Sequence, residues 1–393
     1  MKKYKLAILT SHPIQYKTPL YKLLAEQKKI DLTVLFCSNW GLKTYHDEKF
    51  GQNIKWDIPL LDGYKSKVLK NVSPFPNVSR FFGLINPEII DELKKNNYDA
   101  IWIHGWNSFT NWLTMVTAFK LNIPVLLRGE INLLQKSFFL KNILKKLILK
   151  NLFKKISAFL SIGTYNAKFY EAYGVPKEKI FLVPYTVNND FFILKANELT
   201  SKKQSLKEKY DIPRNLPVIL FSGKLIHKKR PIDLLKAYEI VSKETDVALV
   251  YLGEGELRKE IELYIKNHNL KNVYLMGFRN QTELPEFYAM ADIFVLPSAF
   301  EPWGLVVNEA MCFSLPVIIS DEVGAGGDLV KDGVNGCIYP SGDIDELSNR
   351  LKILLGNKNL REKSGQASLE IIKSWSYKDD LKGVLSCLKI IYT

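Results

Sequence analysis

The chain has 393 residues, of which 47% are hydrophobic and 24% are charged. This composition is typical of globular proteins and is too apolar for an intrinsically disordered chain. At roughly 100–200 residues per domain, the length predicts two or three domains. The formal net charge of +14 favours an anionic partner, either nucleic acid, an anionic membrane surface or a phosphorylated substrate.

Several classes of protein are excluded by what the sequence lacks. The four cysteines are far apart and show no CxxC spacing, so we expect buried free thiols rather than disulfides or a zinc site. The histidines show no HExxH-type pairing, so we expect no protein-held catalytic metal. No cofactor is expected either. No apolar stretch approaches the roughly 18 residues that span a bilayer. Leu6–Leu9 is too short for a secretory signal, so a cytoplasmic protein is predicted.

Short apolar runs of strand length alternate with helical patterns along the chain. In the first half, strands are predicted at Lys5–Leu9, Leu32–Cys37, Ala100–His104, Val125–Arg128, Ala158–Ile162 and Ile180–Val183. In the second half, they are predicted at Val218–Phe221, Ala248–Leu252, Val273–Met276, Ile293–Leu296, Val317–Ser320 and Cys337–Tyr339. Helical spacing occurs at Pro231–Val241, Glu256–Asn267 and Ile344–Leu355. This alternation predicts an α/β protein with parallel sheets.

The predicted strands are too many for one doubly wound sheet, so we expect two domains. Turn formers interrupt the pattern at Val183–Asp190, and a polar, lysine-rich stretch follows. The sequence therefore predicts an N-terminal domain over residues 1–187 and a C-terminal domain over residues 188–376. A last helical pattern, at about 377–393, is expected to pack back on the N-terminal domain.

The loops after the strands of the second half carry candidate chemistry. In parallel α/β sheets, ligands bind at the carboxyl ends of strands, where helix N-termini present free N–H groups. After Val218–Phe221, a turn places one glycine before four cations, Lys224, Lys228, Lys229 and Arg230. This turn is suited to clamp a pyrophosphate, and the alternative is a solvated basic turn.

The loop after Ile293–Leu296 combines two carboxylates with a predicted helix start. Glu301 lies in the loop, Gly304–Val306 would open the helix with unpaired N–H groups, and Glu309 lies further along it. Such a site suits a ligand with both a phosphate and a vicinal diol, because N–H groups hold the phosphate and carboxylates accept from hydroxyls. The alternative is a helix that carries two surface glutamates.

The run EPWGLVVNEAM, with Glu301 and Glu309 separated by seven residues, resembles the signature of the family-4 retaining glycosyltransferases of the GT-B fold. Further segments are similar to the same family: FSGKLIHKKRP, LVYLGEGEL, VYLMGF, ADIFVLPS, SDEVGAGGDLVKDGVNGCIY and the hinge VPYTVNNDFF. The resemblance implies two Rossmann-like, doubly wound domains that face a central cleft. The first domain would bind the acceptor and the second would bind the nucleotide-sugar donor.

The resemblance also implies roles for particular residues of the second domain. Lys224 and Lys229 would grip the nucleotide diphosphate, Glu309 would hold the ribose hydroxyls, and Glu301 would contact the donor sugar. Arginine is more usual where Lys224 stands, so a point charge replaces a bidentate fork here. The catalytic candidates are Lys224, Lys229 and Glu301. Further donor contacts are expected from Gly223, Gly277, Phe278, Arg279, Pro302, Trp303, Gly304, Leu305 and Val306.

The implied reaction is transfer of a sugar with retention at its anomeric carbon. A UDP-sugar is the favoured donor, and a GDP-sugar is the second choice. The acceptor would be a hydroxyl of a glycan or lipid-linked substrate in surface polysaccharide or glycolipid synthesis. The family uses no bound metal, so the two lysines and the helix dipole would stabilise the leaving diphosphate. The alternatives are an inactive basic protein that binds membrane surfaces, and a nucleotide-sugar epimerase. The sequence shows no nucleic-acid-binding module, so no nucleic acid partner is expected.

The predicted acceptor domain departs from the family pattern. Its first loop, Thr10–Lys17, is not glycine-rich, and Glu130 stands nearest to a position where relatives carry histidine. Arg128 and Glu130 are contacts to acceptor or donor sugar, or else an ion pair at a strand end. The acceptor-side candidates are His12, Gln15, Tyr16, His104, Arg128 and Glu130.

The stretch Lys136–Lys155 contains seven lysines and no acidic residue. Its apolar residues recur at helical spacing: Leu140, Ile143, Leu144, Leu147, Ile148 and Leu152. This pattern is typical of a helix that lies on an anionic membrane, which would place the protein peripherally at the inner face of the cell membrane. The alternative is a packed surface helix with a solvated lysine face.

Overall fold

The computed structural model describes residues 3–47, 51–134 and 143–391. The chain divides into two compact units. Unit 1 comprises Met1–Tyr45, Ile58–Tyr185 and Tyr377–Thr393, and unit 2 comprises His46–Asp57 and Thr186–Ser376. The sequence predicted a contiguous first domain to residue 187, whereas 46–57 groups with unit 2. The reason is that residues of this segment bond to side chains of unit 2, as described below.

The strands and helices alternate along the chain. The strands are β1 (Tyr4–Thr10), β2 (Ile30–Phe36), β3 (Tyr45–Asp47), β4 (Gln52–Ile54), β5 (Ser66–Val68), β6 (Ala100–His104), β7 (Val125–Arg128), β8 (Ala158–Ser161), β9 (Ile180–Leu182), β10 (Val218–Ser222), β11 (Ala248–Leu252), β12 (Val273–Leu275), β13 (Ile293–Leu296), β14 (Val317–Ser320) and β15 (Gly336–Tyr339). The helices are α1 (Thr18–Ala25), α2 (Glu88–Asn96), α3 (Phe109–Lys120), α4 (Ile143–Lys155), α5 (Thr164–Ala172), α6 (Asn189–Leu199), α7 (Lys203–Lys209), α8 (Pro231–Val241), α9 (Arg258–Asn267), α10 (Leu284–Met290), α11 (Leu305–Cys312), α12 (Ile344–Gly356), α13 (Lys358–Lys373) and α14 (Tyr377–Ile391).

Unit 1 is built on a parallel seven-stranded sheet with the order β5-β2-β1-β6-β7-β8-β9. Leu6 and Ile8 of β1 enter a core with α1 and α14, whereas Ala7 and Leu9 enter a second core with α2 to α5. Helices therefore cover both faces of the sheet. Parallel strands buried on both faces require continuous apolar runs, which is why the sequence showed them.

Unit 2 is built on a parallel six-stranded sheet with the order β12-β11-β10-β13-β14-β15. Its main core joins one face of this sheet to α8, α9 and α12. Strand order reverses between β10 and β13, which is the arrangement that creates a ligand-binding crevice in open α/β sheets. All the strands predicted from the sequence are present. The added strands β3, β4 and β5 have three residues each and are mostly polar. They lack the apolar runs by which β9 and β12, which are equally short, could be predicted.

The last helix, α14, belongs to unit 1. Val384, Cys387 and Leu388 are buried in the core that contains Leu6 and Ile8. All four cysteines of the chain, Cys37, Cys312, Cys337 and Cys387, are buried free thiols. This confirms the prediction of buried free thiols.

Only part of the predicted basic helix can be compared with the structure, because residues 135–142 lie outside the described residues. In α4, Leu149, Leu152 and Phe153 are buried in the core of unit 1. The sequence placed Leu152 on one apolar face with Leu147 and Ile148, but these two side chains point away from the core and are 54% and 45% exposed. The helix is therefore packed through one side and solvated along the other. Over the described ranges, no helix combines the length and apolarity needed to cross a bilayer.

Candidate active site

The carboxyl ends of β10 and β13 bring together the two loops in which the sequence placed the donor site. These strands are parallel neighbours in unit 2, with Ile219 opposite Ile293 and Leu220 opposite Phe294. Gly223 follows β10 in a positive-φ conformation, and a side chain at Gly253 would collide with the carbonyl oxygen of Gly223. Close packing of these two glycine backbones fixes the direction in which the basic turn leaves the sheet.

Each of the two lysines predicted to grip a diphosphate contacts a carboxylate. The Nζ atom of Lys224 lies 2.9 Å from Oδ1 and 3.0 Å from Oδ2 of Asp47. The Nζ atom of Lys229 contacts the carboxylate of Glu301, and both side chains are largely buried. Lys228 lies over the Phe300 ring, 4.5 Å from its centroid. The turn is therefore a packed cluster of charges rather than a freely solvated loop.

The charge state of Lys229 responds to this packing. Burial, together with repulsion from Lys228 and Lys224, lowers the pKa of Lys229 to about 7. The contact with Glu301 acts in the opposite direction, because a neighbouring carboxylate favours the ammonium form. An anionic ligand that enters between these groups would likewise favour protonated Lys229.

The α11 helix begins at the same edge of the sheet. Gly304 precedes it with a φ of 99°, and a Cβ at this position would lie 2.9 Å from Cδ2 of Leu296, so a side chain here would be strained. The first N–H groups of α11, at Leu305 and Val306, have no acceptor within the helix. They carry the positive end of the helix dipole.

Glu309 lies one turn further along α11 and is buried. Its Oε2 accepts a hydrogen bond of 2.6 Å from the Tyr288 hydroxyl. Burial raises the pKa of Glu309 to about 7, although the Tyr288 hydrogen bond favours the carboxylate. Burial makes the carboxylate form of Glu309 unfavourable. A ligand whose hydroxyl groups donate hydrogen bonds to this carboxyl group would therefore be bound favourably.

The remaining predicted donor residues have different surroundings. The side chain of Trp303 is buried, stacks on Trp375 with a centroid distance of 5.4 Å, and donates its indole N–H to Asn308. It belongs to the core, whereas Pro302 is partly exposed. Gly277 accepts a hydrogen bond of 2.8 Å from the Gly253 N–H.

Phe278 and Arg279, which belong to the predicted donor contacts, have neighbours within unit 2, and Phe278 contacts the segment of residues 46–57. The Phe278 ring lies edge-on to Trp56 with a centroid distance of 6.3 Å. Arg279 donates to Glu283 at 3.0 Å, and its guanidinium lies over the rings of Tyr210 and Phe287. The side chain of Arg279 is therefore held within unit 2 by three of its neighbours.

Unit 1 contains a cavity of about 310 Å³ at the carboxyl ends of β1, β6 and β7. Of the predicted acceptor-side residues, it brings together Tyr16, His104, Arg128 and Glu130. The other residues that line it are Thr10, Ser11, Ile14, Lys17, Val78, Leu84, Gly105, Trp106, Asn107, Ser108, Asn111, Gly129 and Ile131. The cavity lies at the point where strand order reverses between β1 and β6, as expected for a ligand site in such a sheet.

Two predicted acceptor-side residues, His12 and Gln15, are not among the residues that line the cavity. The ring of His12 lies edge-on to Trp40 at 4.6 Å, and its Nδ1 is 2.9 Å from the Ser11 hydroxyl. Burial lowers the pKa of His12 to about 3. Gln15 accepts a hydrogen bond from the Thr18 hydroxyl through its backbone oxygen. Both positions therefore have structural contacts within unit 1.

Both ring nitrogens of His104 have polar partners. Nδ1 lies 3.4 Å from Nζ of Lys17, and Nε2 lies 3.3 Å from the Tyr21 hydroxyl. An ammonium group can only donate, so Nδ1 accepts from Lys17 and the ring proton is on Nε2. Burial, followed by the charges of Lys17 and Arg128, holds the pKa of His104 well below its usual range. His104 is therefore a neutral, oriented imidazole.

Arg128 and Glu130 do not form an ion pair with each other, which was one of the alternatives from the sequence. The buried guanidinium of Arg128 lies 3.7 Å from Asp380 of α14 and donates to the Pro184 carbonyl at 3.0 Å. Glu130 lies 3.7 Å from Lys17, and its side chain is 39% exposed. The arginine therefore connects α14 to the sheet, whereas the glutamate remains accessible from the cavity.

The sequence missed the partners of these groups. Asp47, Tyr288 and Asp380 are distant along the chain from Lys224, Glu309 and Arg128, and no spacing pattern connects them. Lys17 had a detectable signal, because it ends the loop that follows β1. Among residues 3–47, 51–134 and 143–391, no group of three or more His, Cys, Asp and Glu side chains is arranged to hold a metal ion.

One family model, curated relatives and solved structures match this chain. Residues 202–370 match the family model described as "Glycosyl transferases group 1". The matching residues include the basic turn, Glu301 and Glu309.

Curated relatives match over part of the chain. A UDP-Gal:alpha-D-GlcNAc-diphosphoundecaprenol alpha-1,3-galactosyltransferase of Escherichia coli is 30% identical over 50% of this chain and 51% of its own. An alpha-D-kanosaminyltransferase of Streptomyces kanamyceticus is 25% identical over 49% of this chain and 49% of its own. The chain spans about half the length of the curated relatives it matches.

Solved structures match over the whole fold. A glycosyltransferase from Rickettsia africae has a TM-score of 0.76 at 18% identity and covers 100% of both chains. Anabaena Alr3699/HepE, solved with UDP and glucose, has a TM-score of 0.74 at 18% identity over 98% of this chain and 99% of its own. These matches confirm the predicted GT-B fold.

The raised pKa of Glu309 predicts a pH-dependent gain in stability for Glu309→Gln. Between pH 4.5 and about 7, Glu309 is ionised in the unfolded chain but protonated in the folded one, so the wild type loses stability as pH rises through this range. The free energy of unfolding of the variant should rise relative to wild type by up to about 3 kcal/mol across the range, and then stay level. Urea denaturation at each pH measures this difference.

The exposed Glu256→Gln is the control for the loss of one negative charge in unit 2. A difference between Glu309→Gln and wild type that stays constant from pH 4.5 to 7 would contradict the assignment of a raised pKa to Glu309.

Proposed function

We propose that this protein is a retaining, metal-independent glycosyltransferase that moves a sugar from a nucleotide-sugar donor to a hydroxyl group of a glycan or lipid-linked acceptor. The observation that carries the proposal is the convergence at one sheet edge of the basic turn, the N-terminus of α11 and the carboxyl groups of Glu301 and Glu309. A nucleotide-sugar presents the complementary groups, since it has a diphosphate flanked by the hydroxyls of a ribose and of a sugar.

The proposed chemistry is stabilisation of the leaving diphosphate. As the bond between the anomeric carbon and the phosphate oxygen breaks, negative charge develops on the diphosphate. Lys224 and Lys229 act as catalytic residues here, and the N–H groups of Leu305 and Val306 add fixed dipoles. Groups oriented before the reaction stabilise the transition state without reorganising at the moment of transfer.

The two carboxyl groups have separate roles in this proposal. Glu309 accepts hydrogen bonds from the ribose diol, for which its burial beside Tyr288 prepares it. Glu301 accepts from hydroxyls of the donor sugar, and its contact with Lys229 places the sugar next to the diphosphate. Gly277 and Phe278 contact the nucleobase, and a UDP-sugar is the favoured donor.

The cavity of unit 1 is the proposed acceptor site. Its hydroxyl and amide side chains, including Asn107 and Asn111, suit the hydroxyls of a sugar. Trp106 offers an apolar ring face, which suits the C–H face of a sugar. In the front-face route that we propose, the leaving phosphate oxygen takes the proton from the acceptor hydroxyl. The names of relatives from E. coli and Campylobacter jejuni include undecaprenol-linked acceptors, which supports a lipid-linked acceptor for this protein.

We also propose that the protein binds peripherally to the inner face of the cell membrane. The solvated side of α4 presents Leu147 and Ile148 together with the exposed Lys150 and Lys154. Apolar side chains beside lysines favour an anionic bilayer surface. This surface would hold the enzyme where a lipid-linked acceptor is found.

The proposed donor site predicts stabilisation by one nucleotide. Thermal unfolding should shift upward with millimolar UDP, and less or not at all with GDP, ADP and CMP. A ligand at a hundredfold excess over its Kd adds roughly 2.7 kcal/mol to the stability of the folded state. Glu309→Ala and Lys229→Ala should lose most of the shift.

The matched control for the lysine variant is Lys243→Ala, whose side chain is 70% exposed near the amino ends of the strands. It should retain the full shift. If none of the four nucleotides stabilises the wild type, the proposed donor site is wrong.

The retaining mechanism predicts the anomeric configuration of the product. With a UDP-sugar that the enzyme hydrolyses slowly, free sugar is released without any need for the natural acceptor. Proton NMR recorded before mutarotation should show the same anomer as in the donor. Initial release of the opposite anomer would contradict retention.

The proposed membrane surface predicts co-sedimentation with vesicles that contain phosphatidylglycerol and not with vesicles of phosphatidylcholine alone. Replacing Leu147 and Ile148 together by asparagine should reduce binding several-fold, because exposed apolar area is lost while the buried side of α4 is kept. The exposed Leu194→Asn in unit 2 is the control. Equal binding to both vesicle types would overturn this part of the proposal.

A further inference from the structure

The segment of residues 46–57 lies in the first half of the sequence, but it is part of unit 2. Residues 55–57, at the C-terminal end of this segment, are anchored near the stretch Gly277–Arg279. Asn280 donates to the carbonyl of Lys55 at 2.7 Å. The backbone N–H and the hydroxyl of Thr282 both donate to Asp57, at 3.1 and 2.5 Å. These contacts hold the segment against unit 2 independently of Asp47.

At its other end, the segment brings Asp47 to the basic turn. Both carboxylate oxygens of Asp47 lie within 3.0 Å of Nζ of Lys224, and the Asp47 side chain is only 13% exposed. The two carboxylate oxygens of Asp47 contact the ammonium group of Lys224 in the same way as two phosphate oxygens of a bound ligand would. Asp47 therefore occupies the position at Lys224 that an anionic ligand needs.

The two lysine–carboxylate contacts at this edge differ in the role of the carboxylate. Lys224 contacts Asp47, and Lys229 contacts Glu301. Glu301 has a role toward the sugar hydroxyls in the proposed function, whereas Asp47 has none there. A diphosphate bound beside Lys224 would meet the like charge of Asp47 unless that carboxylate moved away.

We propose that Asp47 competes with the donor diphosphate for Lys224, so that nucleotide binding displaces Asp47 and its return promotes release of the nucleoside diphosphate product. This inference deepens the proposed function and rests on it. Asp47 acts as an internal anion whose effective concentration at Lys224 is fixed by the anchored segment. It lowers the affinity for every nucleoside diphosphate, and its effect passes through Lys224.

The experiment compares the Kd for UDP by isothermal titration calorimetry in wild type and Asp47→Asn. Asparagine keeps the shape of the side chain and removes its charge, and the anchors at Asn280 and Thr282 remain. We expect Asp47→Asn to bind UDP about tenfold more tightly, because the carboxylate that competes with the diphosphate for Lys224 is gone. Asp246→Asn is the control, because Asp246 is exposed and precedes β11, at the opposite edge of the sheet. The Asp246→Asn variant should bind UDP with the same affinity as wild type.

A double-mutant cycle tests the route of the effect. Lys224→Ala should bind UDP more weakly than wild type. In the Lys224→Ala background, Asp47→Asn should leave the Kd nearly unchanged, because the competed group is absent. Equal or weaker UDP binding by Asp47→Asn overturns the proposal, and so does a tenfold tightening that persists without Lys224.

The outcome separates this inference from the proposed function. If wild type binds UDP and Asp47→Asn binds it no more tightly, only the competition by Asp47 is wrong. If UDP, GDP and ADP bind neither wild type nor Asp47→Asn, the donor site itself is wrong and the competition fails with it.

Discussion

The parallel pairing of β10 with β13 is the constraint on which the candidate donor site depends. Because the two strands run in the same direction, the turn after Ser222 and the loop after Leu296 leave the sheet at one edge. Strand order reverses at this pair, which is the position of ligand sites in open α/β sheets. The two loops contact each other there, because the Ala299 N–H donates to the Lys228 carbonyl at 2.9 Å. Gly223 and Gly304 set the directions of the loops, since each adopts a positive φ beside a closely packed neighbour.

This geometry concentrates charge in a partly buried place, and the protein compensates for it locally. Lysine ammonium groups removed from water are unfavourable unless an anion accompanies them. Asp47 and Glu301 provide that anion for Lys224 and Lys229. Glu309 is compensated differently, by protonation and by the Tyr288 hydroxyl. Lys224 and Lys229 are therefore paired with carboxylates of the protein itself, which distinguishes this site from a solvated surface patch of lysines.

The sequence predicted those features that depend on neighbours along the chain. Strands such as β6 and β11 are visible as apolar runs because helices cover both faces of their sheets. Glu301 and Glu309 could be assigned to one site because a single loop and helix carry both. Asp47 could not be assigned, because 177 residues separate it from Lys224 and only the tertiary fold joins them. For α4, spacing alone could not show which apolar residues, among Leu147, Ile148 and Leu152, turn toward the core.

The two histidine candidates of unit 1 bear on the proposed mechanism. His104 donates through Nε2 and accepts through Nδ1, so neither nitrogen is available to take a proton from an acceptor. The burial that lowers the pKa of His12 also makes it a weak base. Glu130 is the accessible carboxylate in the wall of the cavity, but a carboxylate is a weak base toward a sugar hydroxyl. A front-face route removes the need for a side-chain base, because the leaving diphosphate supplies the basic oxygen. In the proposed route, the cavity of unit 1 would only have to orient the acceptor hydroxyl. The neutral imidazole of His104, fixed through both ring nitrogens, is suited to that role.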